Sequence, residues 1–379
     1  MKGIKTTIAA AAALLAAGAA QAEPVKVGMI TTLSGGGAGL GIDARDGFML
    51  AVKQANNPDL EVVIEDDQRN PDIAVQLADK MIQQDKVDVL TGIIWSNLAM
   101  AVVPSAVAQD KIYMSVNAAP SQLAGKGCNK NYFSVSYQND NLHEAAGGYA
   151  SSAGYEKAFI LAPNYPAGKD SLTGFKRFFF GDITNEVYTK LGQTDYAAEI
   201  AQIRASDADH VFFFLPGGMG IAFMKQYAQS GVDKPLIGPA FSMDQGILGA
   251  VGDAALGVKN TSNWSKDIDN PTNAAFVETF QAEYGRLPSL YASFGFDTAN
   301  LLLSAMDKAS ISDKDAFREA LRAADFNSVR GKFTFGPNQH PIQDLYVREV
   351  VKEGDVLTNK IIGTALTDHS DAYASECSM

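Results

Sequence analysis

The sequence predicts an α/β protein with two similar lobes, and three observations support this prediction. Short apolar runs alternate with helices that carry one apolar stripe, which is typical of a parallel sheet. A polar segment over 129–141 interrupts the alternation, and the same pattern restarts after it. At 379 residues the chain is also long enough for about two domains.

The first lobe begins with a strand over 25–33, an apolar run that ends in a glycine-rich turn. The helix that follows this turn places its apolar residues on one stripe. A second strand over 60–65 ends in a polar turn, and Pro71 suits the start of a helix over 72–85.

Two successive strands end in small polar residues, which points to a binding site. The apolar run over 89–94 leads into a helix start, and the strand over 112–116 leads into a polar turn. In open parallel sheets, ligands bind beyond the carboxyl ends of the strands, and the free N–H groups of a helix start favour an anion. The alternative is that Ser96 or Asn97 serves only as the N-cap of the helix. We expect the following residues to form one wall of a site for a small carboxylate: Trp95, Ser96, Asn97, Asn117, Ala118 and Ala119.

The restarted alternation predicts the second lobe, after which the chain returns to the first. The strands of the second lobe are predicted over 157–162, 183–188, 210–215 and 235–238. Its helices are predicted over 143–153, 169–180, 196–205 and 221–230. The last third of the chain is predicted to hold helices over 273–284, 291–309 and 315–323, a short strand over 333–335 and a hairpin over 345–352 and 356–362. The tail over 364–379 is polar, and its sequence predicts no regular structure.

The first 22 residues have the pattern of an export signal. Lys2 and Lys5 form a basic start, an Ala/Leu-rich run follows, and Ala20-Gln21-Ala22 is an A-x-A cleavage site. We therefore expect an exported protein whose mature chain starts at Glu23 and does not insert into the membrane. The net charge of −12 argues against nucleic acid and anionic lipid as partners.

The sequence carries no motif of a catalytic or metal centre. The two cysteines form no C-x-x-C pair and the four histidines are scattered, so we predict no metal, no cofactor and no catalytic residue. Gly39-x-Gly41-x-x-Ala44 matches a loose dinucleotide fingerprint, but its loop is longer than the tight turn of that motif. In an oxidising compartment Cys128 and Cys377 are expected to form one disulfide, and two free thiols are the alternative.

Several aromatic residues fall at or near predicted element ends. Side chains in such places can sandwich an apolar or aromatic ligand, and ordinary core or rim packing is the alternative for each of them. These residues are Trp95, Tyr165, Phe241, Trp264 and Tyr291.

The order and spacing of several motifs resemble those of a known family over essentially the whole mature chain. The motifs include VKVGMITTLSG, GIIWSNLAMAVVPSAVAQ, NAAPSQLAGKG, APNYPAGKDSLTGFK and AQIRASDADHVFFFLPGG. In them the chain resembles the type I periplasmic substrate-binding proteins of ABC importers, specifically the group that binds leucine and other branched-chain amino acids. This resemblance implies two Rossmann-like lobes joined by a three-crossing hinge, with a ligand trapped between them. It also implies a monomer in the periplasm that delivers its ligand to a membrane permease.

Boundaries for these lobes follow from the points where the alternation stops and restarts. Lobe one is predicted over 23–140 plus 264–342, and lobe two over 141–263 plus 343–363. The C-terminal tail over 364–379 is assigned to neither lobe.

The resemblance also implies the class of ligand. Amino-acid binders of the family place an acidic residue just after a Gly-Pro pair, whereas here Gly238-Pro239 is followed by Ala240-Phe241-Ser242, with Asp244 as the nearest carboxylate. An unpaired ammonium is costly in a closed cleft, so the sequence favours an aromatic carboxylate of the benzoate or cinnamate type. The WSN and NYPAGKD stretches resemble the aromatic-carboxylate branch of the family. The alternatives are a branched-chain amino-acid binder, a ligand-sensing receptor subunit and an enzyme.

The resemblance assigns the carboxylate wall and a lobe-two aromatic residue to positions of this chain. Together with Trp95 and residues at the ends of the first and eighth predicted strands, these positions form the predicted ligand-binding set. The set is Ser34, Trp95, Ser96, Asn97, Asn117, Ala118, Ala119, Tyr165, Phe241 and Asp244.

Overall fold

The computed structural model describes residues 24–379. The predicted signal over 1–22 and the predicted mature start at Glu23 lie outside the described residues. Within the described part, strands and helices alternate as predicted, and the α/β class with two parallel-sheet lobes is confirmed.

The strands fall into two sheets. In chain order they are β1 Val25–Thr31, β2 Leu60–Asp66, β3 Val89–Thr91, β4 Ile112–Ser115, β5 Tyr132–Ser134, β6 Lys157–Pro163, β7 Asp182–Thr189, β8 His210–Phe213, β9 Leu236–Pro239, β10 Lys259–Ser262, β11 Thr334–Phe335, β12 Pro341–Glu353 and β13 Val356–His369.

Twelve α-helices connect or cover these strands in the described residues. They are α1 Ala38–Ala55, α2 Pro71–Lys80, α3 Ser96–Ala108, α4 Ser121–Ala124, α5 Asn141–Ser152, α6 Pro166–Phe178, α7 Ala197–Ala205, α8 Gly218–Ser230, α9 Gln245–Val251, α10 Pro271–Tyr284, α11 Leu290–Met306 and α12 Lys314–Ala323.

The first sheet has the strand order β2-β1-β3-β4-β5, and all of its pairings are parallel. The strands are short and fully apolar at their centres because helices cover both faces. The fifth strand lies within the polar segment 129–141, where the sequence predicted no strand. Tyr132 and Phe133 are buried and pair with Tyr113 and Met114, so the first crossing between the lobes begins only after this strand.

Helix α11 returns the chain to this lobe by packing along α1. The two helices approach closely at glycines. A Cβ atom on Gly47 would lie 1.9 Å from the Ala292 carbonyl oxygen, and one on Gly295 would lie 2.0 Å from that of Ala44. Only glycine permits this backbone contact.

The second sheet has the order β11-β12-β10-β9-β8-β6-β7, and β13 also pairs with β12. Strands β6 to β10 are parallel, whereas β12 runs antiparallel to β10, β11 and β13. The hairpin predicted near the end of the chain is confirmed, but its second strand extends to His369. The prediction that the tail is irregular from residue 364 is therefore wrong for its first six residues, where Ala365 and Leu366 pack against the core.

The chain passes between the two sheets three times. It leaves the first sheet after β5, returns to the first lobe after β10, where α11 packs along α1, and rejoins the second sheet at β11 and β12. The carboxyl ends of the parallel strands of both sheets therefore meet at one cleft. In the range 24–379 we find no helix with the length and apolarity needed to cross a membrane.

Candidate functional site

A narrow cavity lies in the cleft between the two sheets. The space between its lining atoms is about 340 Å³, a volume that includes some open solvent, and the cavity has room for little more than one water molecule. Both lobes and the first crossing contribute to the lining, which consists of Leu40, Ile94, Trp95, Ser96, Asn117, Tyr137, Asn139, His143, Tyr165, Ala167, Phe214, Pro216, Phe241 and Tyr291.

Trp95 occupies the N-cap position of α3, and no side chain of the described residues caps this helix. Ser96 and Asn97 are its first two helical residues, so the interpretation that one of them is the N-cap is wrong. The indole Nε1 of Trp95 donates to the hydroxyl oxygen of Thr32 at 3.0 Å, which fixes the ring in the wall. The N–H groups of Ser96 and Asn97 have no acceptor within the helix, and the helix dipole adds partial positive charge at this end of α3.

The hydroxyl of Ser96 is oriented by a neighbour from the first crossing. Asn139 Nδ2 donates to Ser96 Oγ at 3.1 Å, and Asn139 is itself buried. Because the serine oxygen already accepts this bond, its own hydrogen remains available for an acceptor in the cavity.

Asn117 is held by two hydrogen bonds at the carboxyl end of β4. Its Nδ2 donates to the Ile94 carbonyl oxygen at 2.7 Å, and its Oδ1 accepts from the Tyr137 hydroxyl at 2.9 Å. One amide hydrogen of Asn117 remains for a ligand.

Three of the predicted wall residues, and Ser34 from the larger predicted ligand-binding set, do not line the cavity. The N–H groups of Ala118 and Ala119 already donate to Ile93 O at 3.3 Å and to Asn139 Oδ1 at 3.1 Å. Asn97 is not among the lining residues, and Ser34 is exposed before the turn that begins at Gly35. The structure therefore brings Trp95, Ser96, Asn117, Tyr165 and Phe241 together, and leaves the other predicted wall residues outside the lining.

The opposite wall is made of aromatic rings. Tyr165 stacks on Phe214 with ring centroids 6.3 Å apart and an interplanar angle of 11°. Phe241 packs against Tyr137 at 5.0 Å and against Tyr291 at 6.3 Å. These rings and Trp95, whose centroid lies 6.4 Å from that of Tyr165, surround the gap with apolar faces and a few hydroxyl groups.

Trp264 was a candidate for the same wall and lies elsewhere. Its Nε1 donates to Asn273 Oδ1 at 2.8 Å, and its ring packs edge-on against Phe276. Core packing is therefore the role of this residue.

The lining residues in the described part of the chain include no aspartate, glutamate, lysine or arginine. His143 is the one titratable imidazole in the lining, and burial lowers its pKa to about 3, so it is neutral at physiological pH. Its ring packs among Phe212, Phe214 and Phe241.

Asp244, the nearest carboxylate to the predicted ammonium position, is turned away from the cavity. Its Oδ1 accepts from the Leu290 N–H at 3.2 Å and its Oδ2 from the Gly246 N–H at 3.3 Å. Burial, followed by the charge of Asp43, raises its pKa to about 7.

Arg69 was not singled out from the sequence, yet its guanidinium lies 4.1 Å from the centroid of the Trp95 ring. It covers the outer side of the indole and reaches the neighbourhood of Gly192 in the other lobe. Its position in a polar turn after β2 did not indicate a place at the site, because side chains in such turns are usually exposed to solvent.

Cys128 and Cys377 are joined, with their Sγ atoms 2.06 Å apart and a separation of 249 positions in the chain. The bond attaches the end of the chain to the loop before β5. No group of three or more potential metal ligands occurs among the described residues.

Comparison with known proteins places this geometry in a family. The family model described as periplasmic binding protein matches residues 24–355. Leu/Ile/Val-binding protein homolog 6 of Brucella melitensis is 30% identical over 371 residues, covering 94% of this chain and 94% of that protein. The leucine-, isoleucine-, valine-, threonine- and alanine-binding protein of Pseudomonas aeruginosa is 24% identical and covers 83% of this chain and 86% of its own.

Solved structures share the fold. An ABC transporter solute-binding protein of R. palustris in complex with benzoate has a TM-score of 0.89 and 30% identity, covering 94% of this chain and 100% of its own. A solute-binding protein of Rhodopseudomonas palustris BisB5 in complex with 3,4-dihydroxybenzoic acid has a TM-score of 0.84 and 28% identity, covering 92% of this chain and 99% of its own. A leucine-binding protein of Thermotoga maritima, at 21% identity and a TM-score of 0.80 over 90% of this chain and 98% of its own, shows the fold alone.

The resemblance noted in the sequence is thereby confirmed, and both family and fold are those of solute-binding proteins. The two lobes, the three passages and the closed cleft are the architecture expected from that resemblance. The chain belongs to the periplasmic binding protein family, in its type I fold.

Proposed function

We propose that this protein is the periplasmic substrate-binding component of an ABC importer and that it captures a small aromatic carboxylate between its lobes. The observation that carries the proposal is the combination of a small cavity lined by aromatic rings with the absence of an acidic side chain from its described lining. A flat ring stacks favourably between aromatic faces.

The carboxylate of the ligand is proposed to bind at the start of α3. The Ser96 hydroxyl has a hydrogen to donate, and Asn117 retains one amide hydrogen. The first N–H groups of a 13-residue helix add partial positive charge, which favours an anion. His143 is neutral, so it offers no second positive charge that would draw the carboxylate away from the start of α3.

An α-amino acid fits these surroundings less well. Its ammonium would require a carboxylate in the cleft, and the nearest candidate, Asp244, is engaged with two backbone N–H groups. Leaving a buried charge without a partner costs several kcal/mol. The benzoate and dihydroxybenzoate complexes of the structural neighbours support the aromatic acid. The names of the curated relatives support a branched-chain amino acid as the alternative ligand.

Isothermal titration calorimetry with benzoate, 4-hydroxybenzoate, cinnamate, leucine and phenylalanine tests the proposal. We expect micromolar or tighter binding of at least one aromatic acid, and weaker binding of both amino acids. Heat from leucine alone would assign the protein to the alternative ligand class. Binding of none of the five would contradict the assignment of a small carboxylate.

Export and assembly are part of the same proposal. The mature protein is proposed to begin at Glu23, to act as a monomer and to deliver its ligand to a membrane permease. Mass spectrometry of the protein recovered from the periplasm tests the cleavage site. A receptor subunit would use the same fold for signalling, and loss of ligand uptake on deletion of the gene distinguishes the importer from it.

A further inference from the structure

Two buried aspartates of the second lobe accept hydrogen bonds from backbone N–H groups of the first. Asp170 lies in α6, between β6 and β7, and Asp244 lies between β9 and β10. The donors are Ser121, at the start of α4, and Leu290, at the start of α11, which packs on α1. Each bond therefore joins the two lobes directly across the cleft.

The first of these contacts is the more extensive. Asp170 Oδ2 accepts from the Ser121 N–H at 3.0 Å, and Oδ1 accepts from the Ser121 hydroxyl at 2.7 Å. Asp170 is 5% exposed, so the closed cleft excludes most of the water that would otherwise solvate its charge. Hydrogen bonds to a buried carboxylate are among the stronger ones in proteins.

This contact is connected to the cavity through Asn139. The Nδ2 of Asn139 donates both to Asp170 Oδ2, at 2.9 Å, and to Ser96 Oγ, at 3.1 Å. Its Oδ1 accepts from the Ala119 N–H at 3.1 Å. The orientation of the Ser96 hydroxyl in one lobe is thus tied to a carboxylate of the other.

The second contact lies at the N-terminus of a long helix. Ser289 caps α11 by accepting from the Ala292 N–H, and this leaves the Leu290 N–H free for Asp244 at 3.2 Å. Asp244 is 2% exposed and also caps α9 of its own lobe. It therefore links the N-termini of two helices that belong to different lobes.

We infer that Asp170 and Asp244 are positioning residues that form two carboxylate clasps, which hold the lobes closed over the ligand. Both bonds exist only when the lobes meet, because donor and acceptor belong to different lobes. The clasp at Asp170 also sets the Ser96 hydroxyl for the ligand, so capture and closure are coupled. This inference rests on the proposed capture of a ligand in the cleft but not on the identity of that ligand.

The test compares Asp170→Asn and Asp244→Asn with Asp182→Asn, which changes an exposed aspartate of the same lobe. Binding of 4-hydroxybenzoate and of leucine is measured by calorimetry, and closure is measured by small-angle X-ray scattering. We expect each clasp variant to raise the Kd of the bound probe about ten-fold or more, with the free energy of unfolding of the ligand-free protein unchanged. The control variant is expected to bind like the wild type.

Two further variants separate a clasp from a merely structural residue. Ser121→Ala removes one donor of the first clasp, and it should weaken binding in the wild type but change it less than about two-fold in Asp170→Asn, because the two side chains share one interaction. Leu290→Pro removes the N–H donor at a helix position that tolerates proline, together with a buried leucine side chain, so it is compared with Leu290→Ala, which keeps the N–H; the additional loss of affinity should match that of Asp244→Asn.

The inference is overturned if both clasp variants bind within two-fold of the wild type. It is also overturned if their loss of affinity is matched by an equal loss of stability in the ligand-free protein. If neither probe binds the wild type, the proposed function fails. Small-angle X-ray scattering of the ligand-free variant that combines Asp170→Asn with Asp244→Asn then tests the clasps independently of the ligand. A larger radius of gyration than that of the wild type supports it, and an unchanged radius refutes it.

Discussion

Replacing Ser96 with alanine is expected to weaken the binding of an aromatic acid strongly while leaving the fold intact. The serine is 2% exposed, and its oxygen accepts from Asn139 Nδ2 at 3.1 Å, so its hydrogen is left for the ligand carboxylate. The substitution removes that donor. It leaves Asn139 with a second acceptor, Asp170 Oδ2 at 2.9 Å, so the protein itself loses little.

The expected magnitude follows from the loss of one hydrogen bond to a charged group. Such a bond contributes about 1.5–3 kcal/mol, which corresponds to an increase in Kd of about 10- to 150-fold. The cavity gains only the space of one hydroxyl group, so we expect no compensating ordered water of equal strength. Ser96→Val should abolish binding, because its methyl groups occupy the place of a carboxylate oxygen.

Calorimetric titration of Ser96→Ala with benzoate and 4-hydroxybenzoate measures this effect. Ser105→Ala is the matched control, because Ser105 lies on the exposed side of the same helix and bonds only with Gln109 in the described residues. A Kd for Ser96→Ala within two-fold of the wild type, with heat of binding unchanged, would refute the reasoning. The carboxylate would then have to bind at some other place than the start of α3.

Three other perturbations test other parts of the structure. Gly37→Ala should weaken binding at least about ten-fold, since its Cβ would lie 2.4 Å from the Trp95 indole that forms the cavity wall. Gly39→Ala is the control: its Cβ would meet no atom within 4 Å, so this variant should bind normally in the same titration. The free energy of unfolding should fall by about 2–3 kcal/mol between pH 6.5 and 4.5 through His143 alone, because its native pKa of about 3 lies below the unfolded value and protons bind preferentially to the unfolded chain. Urea titrations of His143→Leu should lack this part of the loss. The same pH dependence in the variant and the wild type would contradict the assignment. Replacing Cys128 and Cys377 together with alanine should lower the free energy of unfolding by up to about 5 kcal/mol, which is the loop-closure value for so long a loop. Thiol titration of the unreduced, unfolded wild type should find no free thiol, and two free thiols would exclude the bond.

The sequence was sufficient for the class of fold and for one wall of the candidate site. Ligands bind beyond the carboxyl ends of parallel strands, so the polar Ser96 and Asn117, which follow two such strands, were recognisable as positions that face a cleft. The aromatic residues Tyr165 and Phe241 were recognisable in the same way, because each follows a buried strand of the second sheet. These positions are set by local periodicity, which a single sequence displays.

The parts that were not predictable depend on contacts between distant segments. Tyr137 and Asn139 lie in a polar stretch that resembled an exposed crossing, and only the meeting of both lobes makes them buried lining residues. The N–H groups of Ala118 and Ala119 are used within the protein, which no pattern along the chain reveals. Asp244 was the nearest carboxylate in sequence, but its direction is set by a helix start 46 residues away.

Trp95 gives the protein an optical reporter of its own cleft. The sequence contains only two tryptophans, and the second, Trp264, is buried in a different part of the fold with a partner of its own. The indole of Trp95 lies between the Arg69 guanidinium of its own lobe, at 4.1 Å, and the ring of Tyr165 from the opposite lobe, so opening the lobes exchanges the tyrosine ring for water. Its emission will therefore shift to longer wavelength as the cleft opens, while that of Trp264 stays constant as an internal reference. A Trp95→Phe variant isolates the reference signal, and the occupancy of the unlabelled protein can be followed in a fluorimeter.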